Sequence, residues 1–229
     1  MRVRRAPVGA AAAFADAPRP AAGLGWRQAR WCAVDLEMTG LDPHQDEIVA
    51  IGAVPIEDGR VVLGRASYTL VHASKRSQVG AVLVHKLRLA DVADAPSLDQ
   101  ATDLLLGALA GRVPVFHTAA IETAFLERLF AARRVRLPAA VDTEMLGRGW
   151  LRHRDGAQRA PAHGISLGRL AQALGQPAET PHHALGDALT TAKVFISLAS
   201  LLDSVTPQTV GSLLAASERT TAVRRFGPG

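Results

Sequence analysis

Trp31-Cys32-Ala33-Val34-Asp35-Leu36-Glu37-Met38-Thr39-Gly40 is the stretch on which the fold turns. It opens as a short apolar run rich in β-formers, which reads as a buried strand over Trp31–Leu36. Two carboxylates follow at its end, two residues apart. The period-2 geometry of a strand puts Asp35 and Glu37 on one face. Adjacent carboxylates repel unless something positive lies between them, and hard oxygen ligands suit Mg²⁺ or Mn²⁺. A solvated strand end running into a Thr39-Gly40 turn explains the same letters, and this stretch alone leaves the two readings level.

Downstream, Ile48–Ile56 and Val61–Val71 read as two further strands joined at Asp58-Gly59, a dipeptide suited to a tight type I′ hairpin. Pro55 lacks an N–H donor, so it belongs where the ladder is incomplete. A helix is predicted over Leu98–Ala110, with Ser97 as its N-cap after Pro96. A short strand, Val113–Phe116, leads into a helix over Ala120–Arg133. Residues 148–163 read as irregular, and helix signals return at Ser166–Leu174, His183–Leu202 and Pro207–Ser217. Strands first, then helix, strand and more helices, predict an α/β domain: a central sheet with an antiparallel hairpin, flanked by helices.

The protein has 229 residues, of which 48% are hydrophobic and 21% charged, enough for one generous domain with a real core. Cys32 is the single cysteine, which excludes a disulfide scaffold. No window of about 18 residues escapes both charge and proline, so no membrane span is expected and a cytoplasmic setting fits. The net charge is +5, and it is unevenly placed. Residues 1–30 hold six Arg against Asp16 alone, so the remainder is neutral, with 20 charges of each sign. Residues 1–25, built from Ala, Arg, Pro and Gly, are expected to be a disordered basic tail. The main domain is then 26–203, with a short helix and tail over 204–229.

Two more segments place chemistry-bearing groups beside apolar runs. Val115-Phe116-His117-Thr118-Ala119-Ala120-Ile121-Glu122 runs from strand into helix, and Glu122 sits near the helix start, where the macrodipole favours a negative charge. Alone, it reads as an ordinary first-turn Glu, and His117 as a packed histidine. His182-His183-Ala184-Leu185-Gly186-Asp187 opens a long apolar helix with Asp187 about one turn in. A histidine beside an acidic metal site can take a proton from water near neutral pH. A pair of polar capping residues explains this segment equally well.

Taken together, Asp35-x-Glu37-x-Thr39-Gly40, His117-x-Ala119-x-x-Glu122 and His182-x-x-x-x-Asp187 resemble the DEDDh exonuclease superfamily, most nearly the proofreading ε-subunits of bacterial replicative polymerases and their stand-alone relatives. The resemblance spans about Trp31 to Leu202 and includes Val84-His85, Asp91, Ala95-Pro96, Val141-Asp142-Thr143 and Ser166–Ala171. It implies a ribonuclease H-like fold and 3′→5′ removal of nucleotides from single-stranded nucleic acid, DNA in preference to RNA, using two divalent cations, Mg²⁺ or Mn²⁺. By the same resemblance Asp35 would bridge both ions, Glu37 and Asp187 would complete one site, Glu122 would support the second, and His182 would be the general base. Leu36, Met38 and Thr39 would pack the 3′-terminal nucleotide, and His117 would also contact substrate. A polymerase or repair complex is the implied protein partner.

Two positions depart from the family pattern. Glu122 stands where Asp is usual, and Thr118 where Asn is usual. One alternative is therefore a nucleic-acid-binding scaffold with weakened turnover. Another is an oligoribonuclease, which the opening Trp31 and Asp35–Leu41 fit but the later motifs do not. Residues 128–169 carry nine Arg against three acids. Among them Arg152, Arg154 and Arg159 are expected to bind phosphates along the approach to the metals, in competition with a plainly solvated helix face.

Overall fold

The computed structural model describes residues 6–74, 86–155 and 164–222. Its centre is β1 (Trp31–Met38), which pairs antiparallel with β2 (Ile48–Glu57) from Trp31 opposite Ile56 to Glu37 opposite Ala50. On the other edge of β1 lies the parallel strand β5 (Val113–Phe116), followed by β6 (Val141–Asp142), also parallel. The outer edge of β2 is covered in two pieces, β3 (Arg60–Val61) and β4 (Ser67–Leu70). The mixed sheet therefore runs β3-β2-β1-β5-β6, with β4 beside β2.

The expected single strand over Val61–Val71 is broken by a 3₁₀ turn at Leu63–Arg65. Pro55 explains the break. β3 pairs with Ile56 and Glu57, and β4 with Ala50 to Ala53, so the gap falls opposite Val54 and Pro55. The hairpin at Asp58-Gly59 forms as expected, both residues having the positive φ (51° and 67°) that a type I′ turn requires.

Alternation along β1 divides the core into two layers. Trp31 and Ala33 join Val54 and Ile56 against α6 (Ala184–Val205), supported by α4 (Thr143–Asp155), α5 (Leu167–Ala173) and α7 (Val210–Ala222). Cys32, Val34 and Leu36 join Ile51 and Ala53 on the opposite face. There they meet α1 (Ala10–Asp16), α2 (Leu98–Leu109) and α3 (Ala120–Ala132). Ser97 caps α2 through a reciprocal pair with Gln100. α6 is long and apolar enough to cross a membrane by composition, but here it is the central packing helix, with Ala188, Ala192, Val194, Phe195 and Leu198 fully buried.

Two expectations need correction. Residues 1–25 are not uniformly tail-like. Ala10–Asp16 form a helix, because the Ala run has high helix propensity and Ala11 and Phe14 lie three apart on one face. Phe14 packs edge-on against Phe130 at 5.4 Å. Nor is the start of 148–163 irregular: α4 continues to Asp155 because Leu146 and Leu151 bury while Arg152 and Arg154 stay outside. Arg159 and Val84-His85 lie outside the described residues.

Candidate active site

Asp35 and Glu37 project from β1 toward the side of the sheet that α6 covers, as the alternation with Trp31 and Ala33 dictates. Asp187 lies in the first turn of α6. Ligand atoms of Asp35, Glu37 and Asp187 all lie within 4.8 Å of one another. Glu122 comes from the first turn of α3, and its charge acts on Asp35 together with those of Asp187 and Glu37. Glu122 is 7% exposed, and its Oε2 is buried without a hydrogen bond among the described residues.

Crowding four acids into a partly buried place disfavours ionisation. Burial and then the charges of Asp187, Glu122 and Glu37 hold the Asp35 carboxyl well above the usual range. Burial and Asp187 push Glu37 up to about 7. Burial pushes Glu122 up to about 8, and a hydrogen bond from its own backbone offsets this only in part. Asp187 is raised by burial, against the hydrogen bond from His182 and the charges of the nearby histidines. Among the described residues, no Lys or Arg acts on these four carboxyls. An all-oxygen donor set with an orphaned buried carboxylate oxygen fits a hard divalent cation.

The two histidines before α6 differ. His183 is the N-cap: its Nδ1 accepts the Gly186 N–H at 3.4 Å, and its ring stacks on Tyr68 at 4.7 Å and 21°. His182 is exposed, with φ +62°, and its N–H donates to Asp187 Oδ2 at 2.7 Å. Its imidazole forms no hydrogen bond among the described residues.

The site rests on a residue to which the sequence reading gave no role. Asp142, at the end of β6, accepts the N–H groups of Thr118 (3.2 Å), Ala119 (3.0 Å), Glu144 (2.8 Å) and Met145 (3.4 Å). One carboxylate thus ties the turn that launches α3 to the start of α4. Its own N–H donates to Ser217 Oγ on α7. A strand-end Asp followed by a helical pattern was the signal in the sequence, since that residue type caps helices. Thr118 takes φ +62°, a region where Asn is at ease and a β-branched residue is not. Its hydroxyl donates to Glu144 Oε2 at 3.1 Å.

Other expected substrate contacts fall differently. Leu36 is buried in the opposite apolar layer, with Met38 packed against it. The Thr39 hydroxyl is engaged with Asp46 Oδ1 and the Glu47 N–H, both at 3.0 Å, so it closes its own loop. His117 donates from Nε2 to the Ile165 carbonyl, and its Nδ1 lies 2.9 Å from Thr143 Oγ1. These contacts brace β5 against α4, and burial holds the imidazole below its usual pKa. Arg152 and Arg154 are exposed on the last turn of α4, where Arg154 lies over the Trp150 ring at 4.5 Å.

A mixed sheet of this order, with acids gathered on its central strand and on the two helices beside that strand's end, defines an RNase H-like nuclease. The chain belongs to the RNase T exonuclease family, whose pattern matches residues 32–195. It is 34% identical over 198 residues to the DNA polymerase III subunit epsilon-like protein of Rhodobacter capsulatus, covering 84% of this chain and 26% of that protein. It is 28% identical over 183 residues to a PolC-type DNA polymerase III of Thermotoga petrophila, covering 79% of this chain and 12% of that protein. The chain thus spans about a quarter or less of the curated relatives it matches. In fold it is similar to exonuclease X in complex with 5′-overhanging duplex DNA, with TM-score 0.61 and 22% identity over 82% of this chain and 99% of that one. E. coli exonuclease I in complex with a dT13 oligonucleotide gives TM-score 0.63 and 16% identity, over 78% of this chain and 43% of that one.

Proposed function

We propose that this chain removes nucleotides from the 3′ end of single-stranded nucleic acid, DNA in preference to RNA, by divalent-metal-dependent hydrolysis. The observation that carries the reading is the orphaned, buried Glu122 oxygen beside the Asp35, Glu37 and Asp187 cluster. A solvated strand end has no reason to gather four acids, two of them buried.

In this reading Asp35, Glu37 and Asp187 hold one ion, and Asp35 with Glu122 holds a second. Two divalent ions there supply charge stabilisation for the attacking and leaving oxygens of an in-line displacement at phosphorus. The extra methylene of Glu122 lengthens its reach from α3 by about 1.5 Å relative to Asp. His182 accepts the proton of the attacking water. Its ring fits that role better than His183, whose ring both caps α6 and stacks on Tyr68. The exposed Arg152 and Arg154, with Arg159, attract phosphates without reading sequence.

The test is a 5′-labelled single strand, DNA or RNA, incubated with Mg²⁺ or Mn²⁺. A ladder shortening from the 3′ end, absent in EDTA and in Asp35→Ala, supports the reading. Binding of the strand without hydrolysis in either metal replaces it with a scaffold. The relative rates on DNA and RNA settle which of the two is preferred.

A further inference from the structure

Asp35, Gly52 and Tyr68 form one row across three strands: Asp35 on β1 pairs with Gly52 on β2, which pairs with Tyr68 on β4. Directly paired residues share a face, so all three point toward α6. The middle place in the row has no side chain. A Cβ on Gly52 would lie 2.2 Å from the Ala184 carbonyl oxygen and 2.5 Å from the Leu185 nitrogen. The first turn of α6 therefore rests on bare sheet backbone. Asp35 stands on one side of that seat and Tyr68 on the other.

Tyr68, the single tyrosine of the sequence, is 38% exposed, and its ring stacks on the His183 imidazole. His183 is where α6 begins. Its carbonyl accepts the Asp187 N–H at 2.9 Å, and its neighbour His182 is tied to Asp187 Oδ2. His182 holds a left-handed backbone conformation, which is strained for a non-glycine residue and persists only where the surroundings impose it. The surroundings are the Asp187 carboxylate on one side and the stacked His183 on the other.

We propose that Tyr68 is a positioning residue: its ring clamps His183 and so holds the entry of α6 on the Gly52 seat, fixing how His182 and Asp187 face Asp35. The phenol hydroxyl is not needed for this; the aromatic face is. The idea rests on reading the acidic centre as an exonuclease site, but the clamp itself can be seen without turnover.

The experiment compares wild type, Tyr68→Phe, Tyr68→Leu and Tyr68→Ala in the full chain. Proton NMR comes first. The His183 ring C–H resonances should be shifted upfield by the stacked ring in wild type and Tyr68→Phe, and return to ordinary positions in Tyr68→Leu and Tyr68→Ala. Identical His183 resonances in all four overturn the clamp. Hydrolysis of a labelled single strand with Mn²⁺ follows. Tyr68→Phe should stay within about twofold of wild type. Tyr68→Leu and Tyr68→Ala should lose about 10- to 100-fold in kcat, as a misplacement of roughly 1 Å in a catalytic constellation does, with KM and Tm little changed. Full kcat in Tyr68→Ala, an equal loss in Tyr68→Phe, or a change confined to KM overturns the proposal. An inactive wild type that still shows the ring-current shift defeats the exonuclease reading and, with it, the catalytic role, while leaving the clamp as a structural fact.

Discussion

Glu122 has a buried carboxylate oxygen without a hydrogen-bond partner among the described residues, and burial raises its pKa to about 8. Glu37 is raised to about 7 by burial and then by the charge of Asp187. Both folded values lie above the ordinary 4.5, so folding favours the protonated form. Metal-free protein should therefore lose stability as pH rises from about 4.5 through 7 to 8. A divalent cation binds the ionised form and should reverse the loss. Thermal unfolding with EDTA and with Mn²⁺, at pH 5.5 and pH 8, checks this: the Mn²⁺ gain in Tm should be larger at pH 8, and equal gains contradict it. Asp35→Asn separates function from stability at one residue. It should abolish hydrolysis, by on the order of 10³-fold, yet raise the metal-free Tm, because it relieves the repulsion among four closely placed acids.

These acids were legible in the sequence for different reasons. Asp35 and Glu37 follow from strand periodicity alone, whereas Glu122 and Asp187 acquire meaning only beside motifs far away in the chain. Thr39 and His117 have side chains that look available until their partners are known. Those partners, Asp46, Thr143 and Ile165, are 7 to 48 residues distant and follow no local rule.

Asp142 matters at the level of elements, because it joins the ends of β5 and β6 to the starts of α3 and α4. Asp142→Ala leaves several buried N–H groups without an acceptor and should destabilise by about 2 kcal/mol or more. It should also weaken hydrolysis, since α3 carries Glu122. Denaturant melts and the strand-shortening assay read the two effects separately, and a fully stable Asp142→Ala contradicts the capping role. Most element positions follow directly from local patterns: β5 has the expected bounds, α2 begins at the predicted Ser97 cap, and the break opposite Pro55 follows from a missing N–H. The continuation of α4 through Arg152 was hidden by its charges. Helix there depends on the burial of Leu146 and Leu151, a tertiary fact that composition masks.

For the whole molecule, the N-terminal segment is the main revision. Phe14 fills a place against Phe130, so Phe14→Ala should cost on the order of 3 kcal/mol, and removing residues 1–16 should lower Tm by several degrees. Hydrolysis below the melting range should survive the truncation, because no residue before Trp31 belongs to the acidic cluster. An unchanged Tm would return the segment to the status of a tail. Neutralising Arg152 and Arg154 should raise KM and flatten its salt dependence if these side chains meet phosphates. An unaltered salt slope would mark them as a solvated helix face.

Just before β1, the chain meets residues almost two hundred positions later. Trp26 donates to the Gln208 carbonyl, and Val210 and Gly211 donate back to Leu24 and Ala22. Every strand and the start of α6 lie between these partners. Closing so wide a loop is entropically late, so the sheet and its acids can assemble while this stitch is still open. During synthesis, Trp26 must wait for residue 208 and those after it to emerge. The side chain finally pressed edge-on against Phe195 is one of the first large apolar groups made and one of the last to be covered.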